Sequence, residues 1–166
     1  MVGTHDVMEA AQDTFISTSY HTERIGPTAA LATIKKFVRC NVQAVNSERG
    51  ARVQRGWSAA AADAGLAVAV TGFAPWPAFA FTGHTPEGSI VLTTLFTQEM
   101  MKRGFLANTC VVVTFSHTDA LIEHYLRHTG EVFKQLAKWL NAVRGDAELC
   151  ARFLLGPPKH AGWQKV

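Results

Sequence analysis

The segment Thr14-Phe15-Ile16-Ser17-Thr18 has the composition of a β-strand, and nothing close behind it in the sequence offers a partner. A lone strand cannot satisfy its own N–H and C=O groups. The expectation is therefore a sheet completed by residues upstream of Met1. Ahead of the strand, Thr4 is placed to cap a short helix running through Asp6, Met8 and Ala11, its hydroxyl accepting from a first-turn N–H.

Behind the strand the periodicity turns helical. Pro27 suits a first helical turn, and Ala30, Ile34, Phe37, Val38 and Val45 recur at helical spacing. A second helix is predicted over 48–64, with Gly65 as its stop. Residues 67–72 and 77–82 read as strands joined by a turn that holds Pro75 and Trp76; Phe79 and Phe81 share one face and the alanines the other. A helix is predicted over 89–103, ended by Gly104, and a buried strand over Cys110–Phe115. Thr118 and Asp119 open a helix through Leu121, Ile122, Tyr125 and Leu126, which Gly130 is expected to break before a last stripe of Val132, Leu136, Leu140 and Val143. The end, 154–166, contains Pro157-Pro158 and reads as an irregular surface arm. No internal repeat occurs. The pattern predicts an α+β fold, with helices covering a short, mostly antiparallel sheet.

Composition narrows the classes of partner. In 166 residues, 48% hydrophobic and 17% charged, there is material for one ordinary domain and too much apolar character for general disorder. Sixteen Lys+Arg against thirteen Asp+Glu leave +3, without the concentrated basic stripe of a nucleic-acid binder. The cysteines Cys40, Cys110 and Cys150 form no CxxC pair, so free thiols are expected rather than disulfides or a zinc site. The N-terminus has no signal-peptide pattern, and the most apolar stretch, 65–81, is broken by Thr71, Pro75 and Pro77. A soluble cytoplasmic chain, with no membrane partner, is the expectation.

Chemistry-bearing motifs are few. His124 and His128 share a helix face at metal-ligand spacing, but without HExxH order or an evident third ligand, so no metal is expected. Neither a GxSxG elbow nor a phosphate loop occurs. Cys110, before three valines, reads as buried and inert. His117 lies at a helix entrance, suited to capping or orienting a turn, with a general base as the alternative. The basic residues Lys35, Lys36, Arg39, Arg49, Arg52 and Arg55 read as a solvated helix face, with a phosphate-binding face as the alternative. The most unusual string is 18–27, TSYHTERIGP. Its threonine hydroxyl, its arginine and the N–H groups of a helix start suit an anion. An ordinary capped loop with Glu23 and Arg24 in solvent fits equally well.

These residues also resemble a known family. Residues 13–18 (DTFIST) and 22–34 (TERIGPTAALATI) resemble the C-terminal part of class III pyridoxal-phosphate aminotransferases, in the glutamate-1-semialdehyde 2,1-aminomutase branch. In the same order, 94–107 (TLFTQEMMKRGFLA) is similar to the helix before the family's final strand. Phe115-Ser116-His117-Thr118 is similar to that branch's serine-alanine-histidine-threonine string, and 155–163 (LGPPKHAGW) to its ending.

The resemblance implies that 1–44 is the end of the aminotransferase large domain with its connecting helix, and 45–166 the small C-terminal α+β domain. It implies pyridoxal 5'-phosphate as cofactor, an amino acid or keto compound as substrate, a homodimer, and a large-domain partner segment upstream. The family's Schiff-base lysine, glycine-rich phosphate turn and pyridine-binding aspartate all precede this stretch. Lys35, Lys36, Lys102, Lys134, Lys138, Lys159 and Lys165 do not match that lysine, so no catalytic residue is assigned. Thr22, five residues before Pro27, matches the family threonine that binds the cofactor phosphate across the dimer interface. The family's commoner Ser-Gly-Asn-Pro turn is replaced by Arg24-Ile25-Gly26-Pro27, which puts Arg24 forward for substrate or phosphate. Val111-Val112-Val113-Thr114-Phe115 lacks the arginine with which many relatives hold a substrate carboxylate, which favours the aminomutase-like branch. The alternative is a non-catalytic remnant that serves only as a dimerisation or interaction module.

Overall fold

A computed structural model describes residues 3–15, 20 and 23–158. The chain divides into two compact units, 1–41 and 42–166, and its fold class is α+β.

In the first unit, α1 (His5–Glu9) is followed by a 3-10 turn, Ala10–Asp13, and by α2 (Ile25–Arg39). Thr4 precedes α1 in an extended conformation, but its hydroxyl makes no capping bond; the Thr4 carbonyl takes the Met8 N–H instead. Thr14 and Phe15 are not in a strand: the Thr14 N–H and hydroxyl both turn back to the Ala11 carbonyl. The rest of the expected strand, 16–18, lies outside the described residues. Helix α2 has no buried residue. Leu31, Ile34 and Val38, spaced three and four apart and so on one face, are each more than half exposed.

The second unit contains α3 (Val42–Ala64), β1 (Val68–Phe73), β2 (Trp76–Phe81), α4 (Pro86–Lys102), α5 (Asp119–Ala142) and α6 (Asp146–Phe153). Helix α3 stops at Gly65, whose φ of +68° is the left-handed conformation that glycine adopts without strain. Strands β1 and β2 form an antiparallel hairpin, Val68 opposite Phe81 and Phe73 opposite Trp76. Phe79 and Phe81 are both 3% exposed, as their shared face requires. Helix α4 begins earlier than its apolar pattern, because the Thr85 hydroxyl accepts from the Gly88 N–H and Pro86 fills the first turn.

The core joins Val53 and Trp57 of α3, Phe79 and Phe81 of β2, Leu92, Leu95 and Phe96 of α4, and Val132, Phe133 and Leu136 of α5. Buried Glu99 ties the helices at their polar end. It accepts from Lys102 (2.6 Å) and Arg103 (3.2 Å), and Arg103 also reaches Gln135 of α5 (3.2 Å). Burial alone would raise the Glu99 pKa. The hydrogen bonds from Lys102, Gln98 and Arg103, with the Lys102 charge, outweigh it and hold the carboxyl below its ordinary value. Gln98 clamps the end of α6, donating to the Phe153 carbonyl and accepting from the Leu155 N–H.

Three expectations are corrected. Residues 110–115 form no full strand; Cys110 makes one isolated bridge to Ala78. The neighbouring bonds run from Val111 N–H to the Pro77 carbonyl and from Val113 N–H to the Pro75 carbonyl. Proline has no N–H to return, so the antiparallel ladder cannot close. Cys110 is accordingly exposed, not buried. Helix α5 runs unbroken through Gly130, because packing along α3 supplies more than one glycine's propensity removes. Helix α6 was not anticipated, its apolar residues being too few for a clear period; residues 154–158 carry no regular element.

Among the described residues, no helix is long and apolar enough to cross a membrane.

Two outcomes test this packing. A Cβ at Gly50 would lie 1.6 Å from the Ala74 carbonyl oxygen, whereas one at Gly130 would meet only Ala60 Cβ at 3.9 Å. Gly50→Ala is expected to cost about 2–3 kcal/mol and lower Tm by roughly 6–10 °C, while Gly130→Ala leaves Tm unchanged or higher. Calorimetry of the pair checks this. The open apolar face of α2 is expected to drive concentration-dependent association, and Ile34→Lys with Val38→Glu should reduce it in sedimentation velocity.

Candidate functional site

The anion-suited loop lies in the first unit. Thr22 is outside the described residues. Beside it, the Glu23 N–H donates to the Tyr20 carbonyl, and Arg24 is the exposed N-cap of α2 without a capping side-chain bond. The first i→i−4 bond of α2 runs from Thr28 N–H to the Arg24 carbonyl. The N–H groups of Ile25 and Gly26 precede it, and Pro27 has none. No acid stands in that first turn, and Lys36 and Arg39 sit in the last turn. The acid nearest the positive end of the helix dipole is Glu23, just ahead of the N-cap. The donors described there, two backbone N–H groups and the Arg24 guanidinium, are of the kind that hold an anion.

Arg49 and Arg52 of α3 serve the fold instead. Arg49 donates to Asp119 (3.3 Å) and to the Phe115 carbonyl (3.1 Å), and Arg52 pairs with Glu123. These bonds fasten α3 to the start of α5. The Phe115-Ser116-His117-Thr118 string is the turn that launches α5. Thr114 N–H donates to His117 Nδ1 (3.0 Å), His117 N–H returns to the Thr114 carbonyl (3.1 Å), and the Thr118 hydroxyl accepts from Leu121 N–H (3.3 Å). His117 therefore orients the turn, as its place in the sequence implies. His124 and His128 stand with ring centroids 4.7 Å apart, beside Phe105. Their Nδ1 atoms are taken by Arg127 and Glu131, and no group of three or more metal-ligating side chains occurs among the described residues.

One feature escaped the sequence. A half-open cleft of about 290 Å³ lies in the second unit, its lining including Val53, Val113 and Ile122, with Cys110, His117 and Tyr125 as the polar side chains. Its lining comes from positions far apart in sequence, which no local pattern brings together. Tyr125 is packed against Trp57, whose Nε1–H donates to its hydroxyl at 3.0 Å. Burial pushes the phenol up to about 12, against the opposing hydrogen bonds from Trp57 and Thr129.

No protein-family model and no curated protein matches the chain. Among solved structures it is similar to the FumI protein of Sphingopyxis sp. MTA144, solved in its PLP internal aldimine form. The TM-score is 0.75 at 19% identity, over 89% of this chain and 36% of that one. The chain thus has the fold of part of a PLP-dependent protein and spans about a third of that protein's length.

The phenol at Tyr125 gives a test with a defined sign. Its folded pKa lies above its unfolded value, so its contribution to stability is complete below about pH 10 and is lost as the pH rises through about 12. Tyr125→Phe is expected to cost about 1 kcal/mol at pH 7 and to flatten the alkaline fall in stability. Urea unfolding followed by tryptophan fluorescence between pH 8 and 11.5 checks both.

Proposed function

We propose that this chain is the C-terminal portion of a pyridoxal-phosphate enzyme of the class III aminotransferase type, closest in kind to glutamate-1-semialdehyde 2,1-aminomutase. In this reading 1–44 closes the large domain and 45–166 is the small domain. The enzyme moves an amino group on an amino acid or keto compound, as a cytoplasmic homodimer. The observation that carries the proposal is the fold likeness to a PLP-dependent protein over 89% of the chain, joined to the Thr22-to-Pro27 string at the open start of α2.

The roles follow from the donors. The Thr22 hydroxyl donates to a phosphate oxygen, and the N–H groups of Ile25 and Gly26 with the positive end of α2 complete the anion site. Arg24 presents a planar cation to a second phosphate oxygen or to a substrate carboxylate. The cofactor, when bound, supplies the electron sink for a carbanion beside nitrogen. No lysine here matches the one that would bond the cofactor aldehyde, so that amine comes from the large-domain segment, and the chain alone is inactive.

Co-expression with that segment is the test. The expected outcome is retained cofactor and amino transfer on glutamate-1-semialdehyde, with Thr22→Val weakening pyridoxal 5'-phosphate binding about tenfold or more at unchanged fold. Borohydride treatment of the isolated chain with pyridoxal 5'-phosphate should label no single lysine; stoichiometric labelling of one lysine overturns the reading. An assembled complex that neither holds the cofactor nor transfers an amine assigns the chain to the remnant class.

A further inference from the structure

The cleft of the second unit is already shaped, and none of its lining side chains is charged. Its walls are fixed independently of any ligand. Val111 and Val113 hang from the Pro77 and Pro75 carbonyls, Tyr125 is held by Trp57, and Val53 and Ile122 belong to the buried core. Leu106, Val112 and Leu121 form an apolar rim, each more than half exposed.

Most of the lining side chains leave water without a partner. A well-held water needs two to four polar partners. Its polar side chains are a thiol, an imidazole whose Nδ1 accepts from Thr114 N–H and whose Nε2 therefore carries the proton, and a phenol that accepts from Trp57. Poorly held water in an apolar recess is displaced favourably by an apolar group. A closed cavity of about 150 Å³ lined by Leu, Ile and Phe accommodates benzene in another protein, so 290 Å³ leaves room for a substituted ring or a short branched chain. No lysine or arginine stands among the lining residues, and Arg49 is engaged by Asp119 and the Phe115 carbonyl.

We propose that this cleft is a binding site for a small, uncharged, largely apolar molecule, an aromatic ring or branched aliphatic group. It is independent of the cofactor reading, because it rests on the second unit alone. Cys110, exposed and on the lining, reports its occupancy.

The test is iodoacetamide alkylation of the full chain, followed by peptide mass spectrometry, with 4-methylphenol as the neutral probe and 4-methylbenzoate as its charged counterpart. The expected result is Cys110 alkylation slowed about tenfold when 4-methylphenol stands near ten times its dissociation constant, with Cys40 and Cys150 unaffected and 4-methylbenzoate without effect. Ala107→Phe, which fills the cleft, should abolish the protection; the two probes on the unchanged chain decide the matter even where that variant is unstable. Equal Cys110 rates with and without 4-methylphenol overturn the proposal, as does equal protection by the carboxylate. So does a Cys110 that is inert without any probe, or whose rate falls as chain concentration rises, since the cleft is then covered by protein.

Discussion

The ring of Phe79 is the point on which the second unit depends. It meets Trp57 of α3 at 4.9 Å, Phe81 at 5.5 Å, Phe96 of α4 at 5.1 Å and Phe133 of α5 at 5.5 Å, each edge to face. Aromatic edges and faces carry opposite partial charge, so this arrangement adds direction to apolar burial. One strand residue thereby fixes the rotation of three helices about the hairpin. The Trp57 indole that packs on Phe79 also donates to Tyr125, so the core and the cleft wall are held by the same side chain.

Much of this order was legible in the chain. The Phe/Ala alternation of 77–82, the glycine stop at Gly65 and the helical stripe of α5 each follow from a local period that tertiary packing then reinforces. What misled was local chemistry read without its neighbours. Gly130 signals a break when seen alone, yet it lies in a helix packed along its length on α3. The valines at 111–113 signal a buried strand, yet the partner presented by the fold is a proline-bearing edge. Helix α6 is short and its apolar positions are few, so its stability comes from contacts such as Gln98 with the Phe153 carbonyl, which no periodicity announces.

The two candidate sites differed for a related reason. The loop before α2 is contiguous, so its hydroxyl, guanidinium and helix start stand together in sequence as TERIGP. The cleft is assembled from Val53, the 105–113 stretch and the first turns of α5, and exists only once α3 and α5 have packed. His117 fell between these cases. Its position at a helix entrance was visible, and its bond to the Thr114 amide needed the turn to form.

Prolines at 75 and 77 make the bonding of 109–113 one-sided at those two positions. That stretch is tied to the hairpin through the Thr109 carbonyl and the Val111 and Val113 amides, while β1 and β2 keep their own pairing without it. Those three bonds and the burial of Val113 hold it on the hairpin without entering the hairpin's own register. The unit is thus built with a seam of one-way bonds, and the same stretch supplies Cys110, Val111 and Val113 to the lining of the cleft.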